Sequence, residues 1–223
     1  MQLEASRDLQ TLWNQAARLS DVEFAAFIAE AFPELLDPFI ALSADLAATW
    51  FEQSEPASRY IAVTAPPPPT ERFHESALWA LRGLGTEGLD RLQGVAQRAI
   101  FDGARDTTLI NVERTNSRWA RYASANACAF CQLLSTRTKN LYSSEEAATR
   151  VVGRRGSRKV GDKYHDHCHC VAVEVREGQT YELPPHAEQF EETYKSALDA
   201  IPDGTEDYAQ ALLSQWRQIS GAR

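Results

Sequence analysis

Apolar residues recur at helical spacing through the first half of the chain. Residues 3–19 mix Leu, Trp13 and Ala with charged side chains, as an amphipathic helix does. Ser20, with Glu23 three positions on, predicts a capped helix start, after which Phe24, Phe27, Ile28 and Ala31 keep the helical period. Pro33 interrupts the pattern, and Asp37-Pro38 reads as the N-cap and first-turn proline of a separate helix. In that helix Phe39, Leu42, Leu46 and Trp50 form one stripe, expected to pack between helices. Pro66–Pro69 can be neither helix nor central strand and reads as a stiff, extended spacer. Beyond it, Phe73 to Leu84 predicts a short helix ended by Gly85. Leu89, Leu92, Ala96, Ala99 and Gly103 predict a longer one running towards Arg114.

The texture changes near residue 115, where helical periodicity fades and the cysteines begin. Ser143-Ser144-Glu145-Glu146 followed by Ala147-Ala148 reads as a capped start of a short helix. Val171-Ala172-Val173-Glu174-Val175 alternates like a strand with one buried face. After Pro184-Pro185 two helical stretches, roughly 186–200 and 205–219, are separated by Pro202-Asp203-Gly204. The expected fold is therefore α+β and mostly α. A helical region spans 1–114, a small metal-stabilised α+β module 115–178, and an acidic helical tail 179–223.

Composition narrows the chemistry. The chain has 223 residues, 43% of them hydrophobic, and a formal net charge of −8. That is enough apolar material for a core. An acidic chain is not drawn as a whole to DNA or to anionic membranes, so any such contact must be local. No apolar run approaches the roughly 20 residues that span a bilayer. The first residues lack a basic segment followed by an apolar one, so no secretory signal is expected. A chain kept in a reducing cytoplasm uses grouped cysteines for metal or catalysis rather than for disulfides.

All four cysteines fall in two close pairs, Cys128-Ala129-Phe130-Cys131 and Cys168-His169-Cys170, and three histidines crowd the second: His165-Asp166-His167-Cys168-His169-Cys170. A CxxC turn lets two thiolates converge on one ion, and a second pair from elsewhere completes a tetrahedron. Zinc suits such sulfur and nitrogen donors. Scattered cysteines are usually small buried apolar residues, but two tight pairs beside a histidine fit that reading poorly. The expected ligands of one structural zinc are Cys128, Cys131 and Cys168, with either Cys170 or His165 as the fourth. Alternation along a strand puts Cys168 and Cys170 on the same side. His165 either replaces one of them or hydrogen-bonds a thiolate, while His167 and His169 face solvent. His74 stands apart and reads as a surface or packing residue.

The segment His165-x-x-Cys168-x-Cys170, following a CxxC and leading into a strand, resembles the hallmark of the phage Mu protein F-like family of minor head proteins. Tyr142-Ser143-Ser144-Glu145-Glu146-Ala147, then Val151-Val152-Gly153, then Gly161-Asp162-Lys163-Tyr164-His165, is similar to the version found in phages of actinobacteria. The resemblance covers about residues 110–178. It implies a low-copy structural protein of head morphogenesis, associated with the portal protein, the major capsid protein or the head interior. Such a protein is found in the virion, and in the host cytoplasm during assembly. Some members of that family carry the label capsid maturation protease, so the alternative is a metal-dependent or cysteine hydrolase. The expectation is no enzyme and no catalytic residues. The thiols that would serve a Cys–His nucleophile are those a closed metal site consumes, and no Gly-x-Ser-x-Gly or His-Glu-x-x-His motif is present.

One basic stretch stands out in the acidic chain. Arg150, Arg154, Arg155, Arg158, Lys159 and Lys163 are interleaved with Gly153, Gly156 and Gly161. As a solvated loop it has no task. As a functional one, Arg154, Arg155, Arg158 and Lys159 would meet the phosphates of packaged DNA or an acidic partner. The acidic segment from Glu182 to Asp207 is a candidate partner within the chain itself.

Overall fold

Seven helices and a two-stranded antiparallel sheet are present among the described residues of the computed structural model, which are 1–54, 59–83, 87–139, 141–142 and 167–222. The chain divides into two units, Met1–Thr107 with His165–Cys168, and Thr108–Tyr164 with His169–Arg223.

In the first unit α1 (Gln2–Ala16) buries Ala5, Leu9 and Ala16 and packs on α2 (Asp21–Gln53). The turn between them is fixed by the residues that predicted it. The Glu23 carboxylate accepts from the Ser20 hydroxyl at 2.7 Å and from the Ser20 N–H at 3.1 Å. Those two bonds, the hydroxyl's first, hold the Glu23 carboxyl below the usual carboxylate range. Trp13 meets Phe24 edge to face, with ring centroids 4.9 Å apart.

The break expected at Pro33 does not occur, and Asp37-Pro38 opens no new helix. α2 runs unbroken through both prolines for 33 residues. Each interior proline costs about 3 kcal/mol through a lost hydrogen bond and a ring clash. Against that, Ile28, Phe32, Leu36, Ile40 and Phe51 are buried along one continuous face spanning both positions. Each such side chain contributes about 1.5–3 kcal/mol on leaving water, so tertiary burial outweighs the local preference.

The stripe expected in the core also turns out otherwise. Phe39 is half-buried, but Leu42, Leu46 and Trp50 remain 48%, 53% and 52% exposed. The buried side at this level is Ile40, Ser43, Ala44, Ala47, Ala48 and Phe51. Small residues face inward because neighbouring backbone comes close: a Cβ on Gly103 would sit 2.9 Å from the Ile40 carbonyl oxygen. A reading that ranks residues by size puts the large ones inside, whereas here close helix approach selects the small ones.

The segment before the proline run is anchored, with the Ala65 N–H donating to the buried Thr107 hydroxyl at 2.9 Å. Pro69 precedes α3 (Thr70–Ala80), which buries Phe73, Ala77 and Ala80, while His74 is exposed. α4 (Glu87–Thr115) closes the core with Leu89, Leu92, Val95, Ala96, Ala99 and Ile100.

α4 is followed by Asn116, whose φ of 52° is one that asparagine tolerates. β1 (Arg118–Tyr122) follows and pairs antiparallel with β2 (Val171–Val175), Arg121 opposite Ala172 and Trp119 opposite Glu174. The sequence pattern pointed to β2 but not to β1. Trp119 also exchanges backbone hydrogen bonds with Tyr142, both at 2.9 Å, and their rings stack 4.5 Å apart. α5 (Ala129–Ser135) lies on β1. After a 3₁₀ turn at Pro185–Ala187, α6 (Glu188–Asp199) and α7 (Tyr208–Ser220) pack on each other and on α5. The turn between them needs Gly204, at φ +81°. The Trp216 indole N–H donates to Gln132 Oε1 at 2.9 Å, and Gln132 Nε2 donates in turn to the Ala127 carbonyl at 2.8 Å.

Candidate metal centre

Cys128 is the residue before the first turn of α5, in extended backbone (φ −66°, ψ 159°), and its Sγ accepts from the Cys131 N–H at 3.5 Å. This is the N-cap geometry, with sulfur in the place usually taken by oxygen. It turns Cys131 inward, where it is fully buried. The other pair sits just before β2. His167, at φ 62°, turns the chain into it, and Cys168 and Cys170 are 3% and 1% exposed.

The Sγ atoms of Cys131, Cys168 and Cys170 all lie within 4.8 Å of one another. Thiolates on one tetrahedral zinc, each about 2.3 Å from the ion, stand about 3.8 Å apart, so the donor set fits a metal ion with little adjustment. None of the four cysteines is joined in a disulfide. Cys128, half-buried, is not in the converging group. His165 lies outside the described residues, as do Arg150, Arg154, Arg155, Arg158, Lys159, Lys163 and the helix expected after Ser143. His167 is exposed, with Nε2 3.9 Å from Asp90, and His169 is half-buried.

Two arginines that the motif reading passed over hold this region. Arg121, 1% exposed on β1, donates from Nη1 to Cys131 Sγ at 3.6 Å, and its guanidinium lies 5.9 Å from the centre of the Phe130 ring. Arg105, fully buried on α4, donates from Nη2 to the Cys168 carbonyl at 2.9 Å and from Nη1 to Asp102 at 2.8 Å. Burial pushes the Asp102 carboxyl up, against the pull of Arg105, Arg98 and Arg72. In the sequence a buried arginine is indistinguishable from a surface one. The only hint for Arg121 is its place two residues from Trp119 on the same face of a strand.

His186, which follows β2 in the chain, has a structural task. His186 Nε2 is 2.9 Å from the Ala123 carbonyl, and its ring stands edge-on to Tyr122 and Phe190. Among the described residues no helix is long and apolar enough to cross a membrane.

The model of the VG15 protein family matches residues 1–197. The chain belongs to that family, which is associated with phages. No curated protein and no solved structure matches it.

Proposed function

We propose that this VG15-family chain is a structural minor capsid protein of a tailed phage, acting in head morphogenesis at the portal or the inner face of the head. One zinc ion would stabilise its second unit. The observation that carries the reading is the convergence of three buried thiols between a CxxC turn and a strand start. Thiolates are zinc donors, and the buried, small-module setting is that of a structural ion rather than a catalytic one. Cys131, Cys168 and Cys170 would hold the ion, with Cys128 or His165 the candidates for the fourth position. Bound zinc would cross-link α5 to the start of β2, and the free energy of binding it would add to the stability of that part of the fold.

The role is non-catalytic on this reading. A thiolate committed to zinc in a closed site is not free to attack a peptide bond. The partners are the portal protein or the major capsid protein. Packaged DNA is a further candidate contact through Arg154, Arg155, Arg158 and Lys159.

Two measurements test the proposal. Protein purified under reducing conditions is expected to contain about one equivalent of zinc, and quantitative mass spectrometry of purified virions is expected to find the chain at low copy. Metal-free protein with four freely titratable thiols would remove the zinc site. Absence from virions and procapsids would remove the head role. Specific cleavage of the major capsid or scaffold protein by wild type, but not by Cys131→Ser, would establish the capsid maturation protease instead.

A further inference from the structure

α2 carries an unusual combination on its outer side. Leu42, Leu46 and Trp50 follow one another at a spacing of four, each about half exposed, and Leu35 and Phe39, half-buried and packed in part against the core, extend the row towards the N-terminus. Steps of three and four residues keep all of them on one side of the helix. The same helix contains seven acidic residues, Asp21, Glu23, Glu30, Glu34, Asp37, Asp45 and Glu52, all exposed, and no lysine or arginine. On a helical projection Asp45, Glu34 and Glu52 flank the row on the side away from the core.

We propose that this face of α2 docks a basic amphipathic helix of another protein. The apolar row supplies anchors at i, i+4 and i+8, the pattern by which one helix face receives another. Trp50 is of the residue type that most often dominates such contacts. Charge decides the occupant. An all-acidic helix repels nucleic-acid phosphates and anionic lipid headgroups, and it repels a second copy of itself laid along the same row. It attracts a helix whose apolar stripe is bordered by lysine and arginine. This deepens the partner part of the reading above by naming the chemistry the partner must present. It is independent of the zinc site and of the virion assay, so either can fail while the docking face stands.

The test uses the full-length protein and two synthetic amphipathic helical peptides with the same leucine stripe, one with lysines and one with glutamates on the polar face. Binding is followed by calorimetry at low and at raised salt, for wild type and for a Leu46→Ser, Trp50→Ala double variant. These positions are exposed, and circular dichroism checks that the variant is folded. The lysine peptide is expected to bind wild type with salt-sensitive affinity, to lose at least about tenfold with the double variant, and the glutamate peptide is expected not to bind. Equal affinity of the lysine peptide for wild type and the double variant would mean mere attraction to an acidic protein and would overturn the proposal. So would no binding of the lysine peptide, or a concentration-dependent dimer of wild type in sedimentation that the double variant abolishes.

Discussion

Replacing Arg121 by methionine isolates the electrostatic part of the proposed zinc site. A divalent ion with three thiolates and a neutral fourth ligand carries a net charge of −1, and a more negative one if Cys128 is the fourth; the Arg121 guanidinium, buried and 3.6 Å from Cys131 Sγ, supplies +1 beside it. At an effective dielectric of about 20 the bare attraction at that separation is roughly 4–5 kcal/mol. Part of it is cancelled by the cost of keeping the guanidinium out of water. What survives is the scale of a hydrogen bond to a charged group, about 1.5–3 kcal/mol. That range agrees with the 10–100-fold loss of metal affinity usual when an outer partner of a ligand is removed. Arg121→Met is therefore expected to weaken zinc binding about 10–100-fold, which is about 1.4–2.7 kcal/mol. Methionine retains much of the side-chain volume and is adaptable in packing. Affinity is measured by competition with a chromophoric chelator. The sulfur-to-metal charge-transfer band of the cobalt-substituted protein reports whether the thiolates still coordinate. Denaturant melts of the metal-free forms show how much of the effect is metal-independent. A folded Arg121→Met variant with wild-type zinc affinity would refute the reasoning.

Three further outcomes are expected. Cys131→Ser should lower zinc content well below one equivalent and remove hydrogen-exchange protection from β1, α5 and β2 while sparing α2; unchanged protection in the second unit would count against a structural ion. Trp216→Phe should cost about 1 kcal/mol through the lost bond to Gln132 Oε1, and Trp216→Ala about 3–5 kcal/mol because the indole is fully buried, both read from denaturant midpoints. The Glu23 carboxyl titrates below its usual range when folded, so its contribution to α2 is complete above an unfolded carboxylate value of about 4.3 and is lost as pH falls through the lower folded value. Wild type should then lose stability on acidification more steeply than Glu23→Gln, and parallel pH profiles would show that the cap contributes nothing.

Local chemistry was legible along the chain wherever a short stretch settles its own geometry. Ser20 and Glu23 form their cap because both partners lie within one turn. Gly204 supplies the left-handed turn between α6 and α7. The alternation of Val171–Val175 marks β2, and Cys128-x-x-Cys131 marks a thiol turn at a helix start. Tertiary structure decided what no short stretch contains. It carried α2 through Pro33 and Pro38, since burial along 33 residues exceeds the local cost of two prolines. It turned Leu42, Leu46 and Trp50 outward, since close backbone approach such as that at Gly103 and Ile40 favours the alanines on the inner side. It selected Arg118–Tyr122 as β1, because a strand with buried Trp119 and Arg121 is recognisable only beside its partner. It brought Cys131 to Cys168 and Cys170, and set Arg121 beside that thiol. These outcomes depend on contacts between residues far apart in the chain, whose energies appear only when the segments meet.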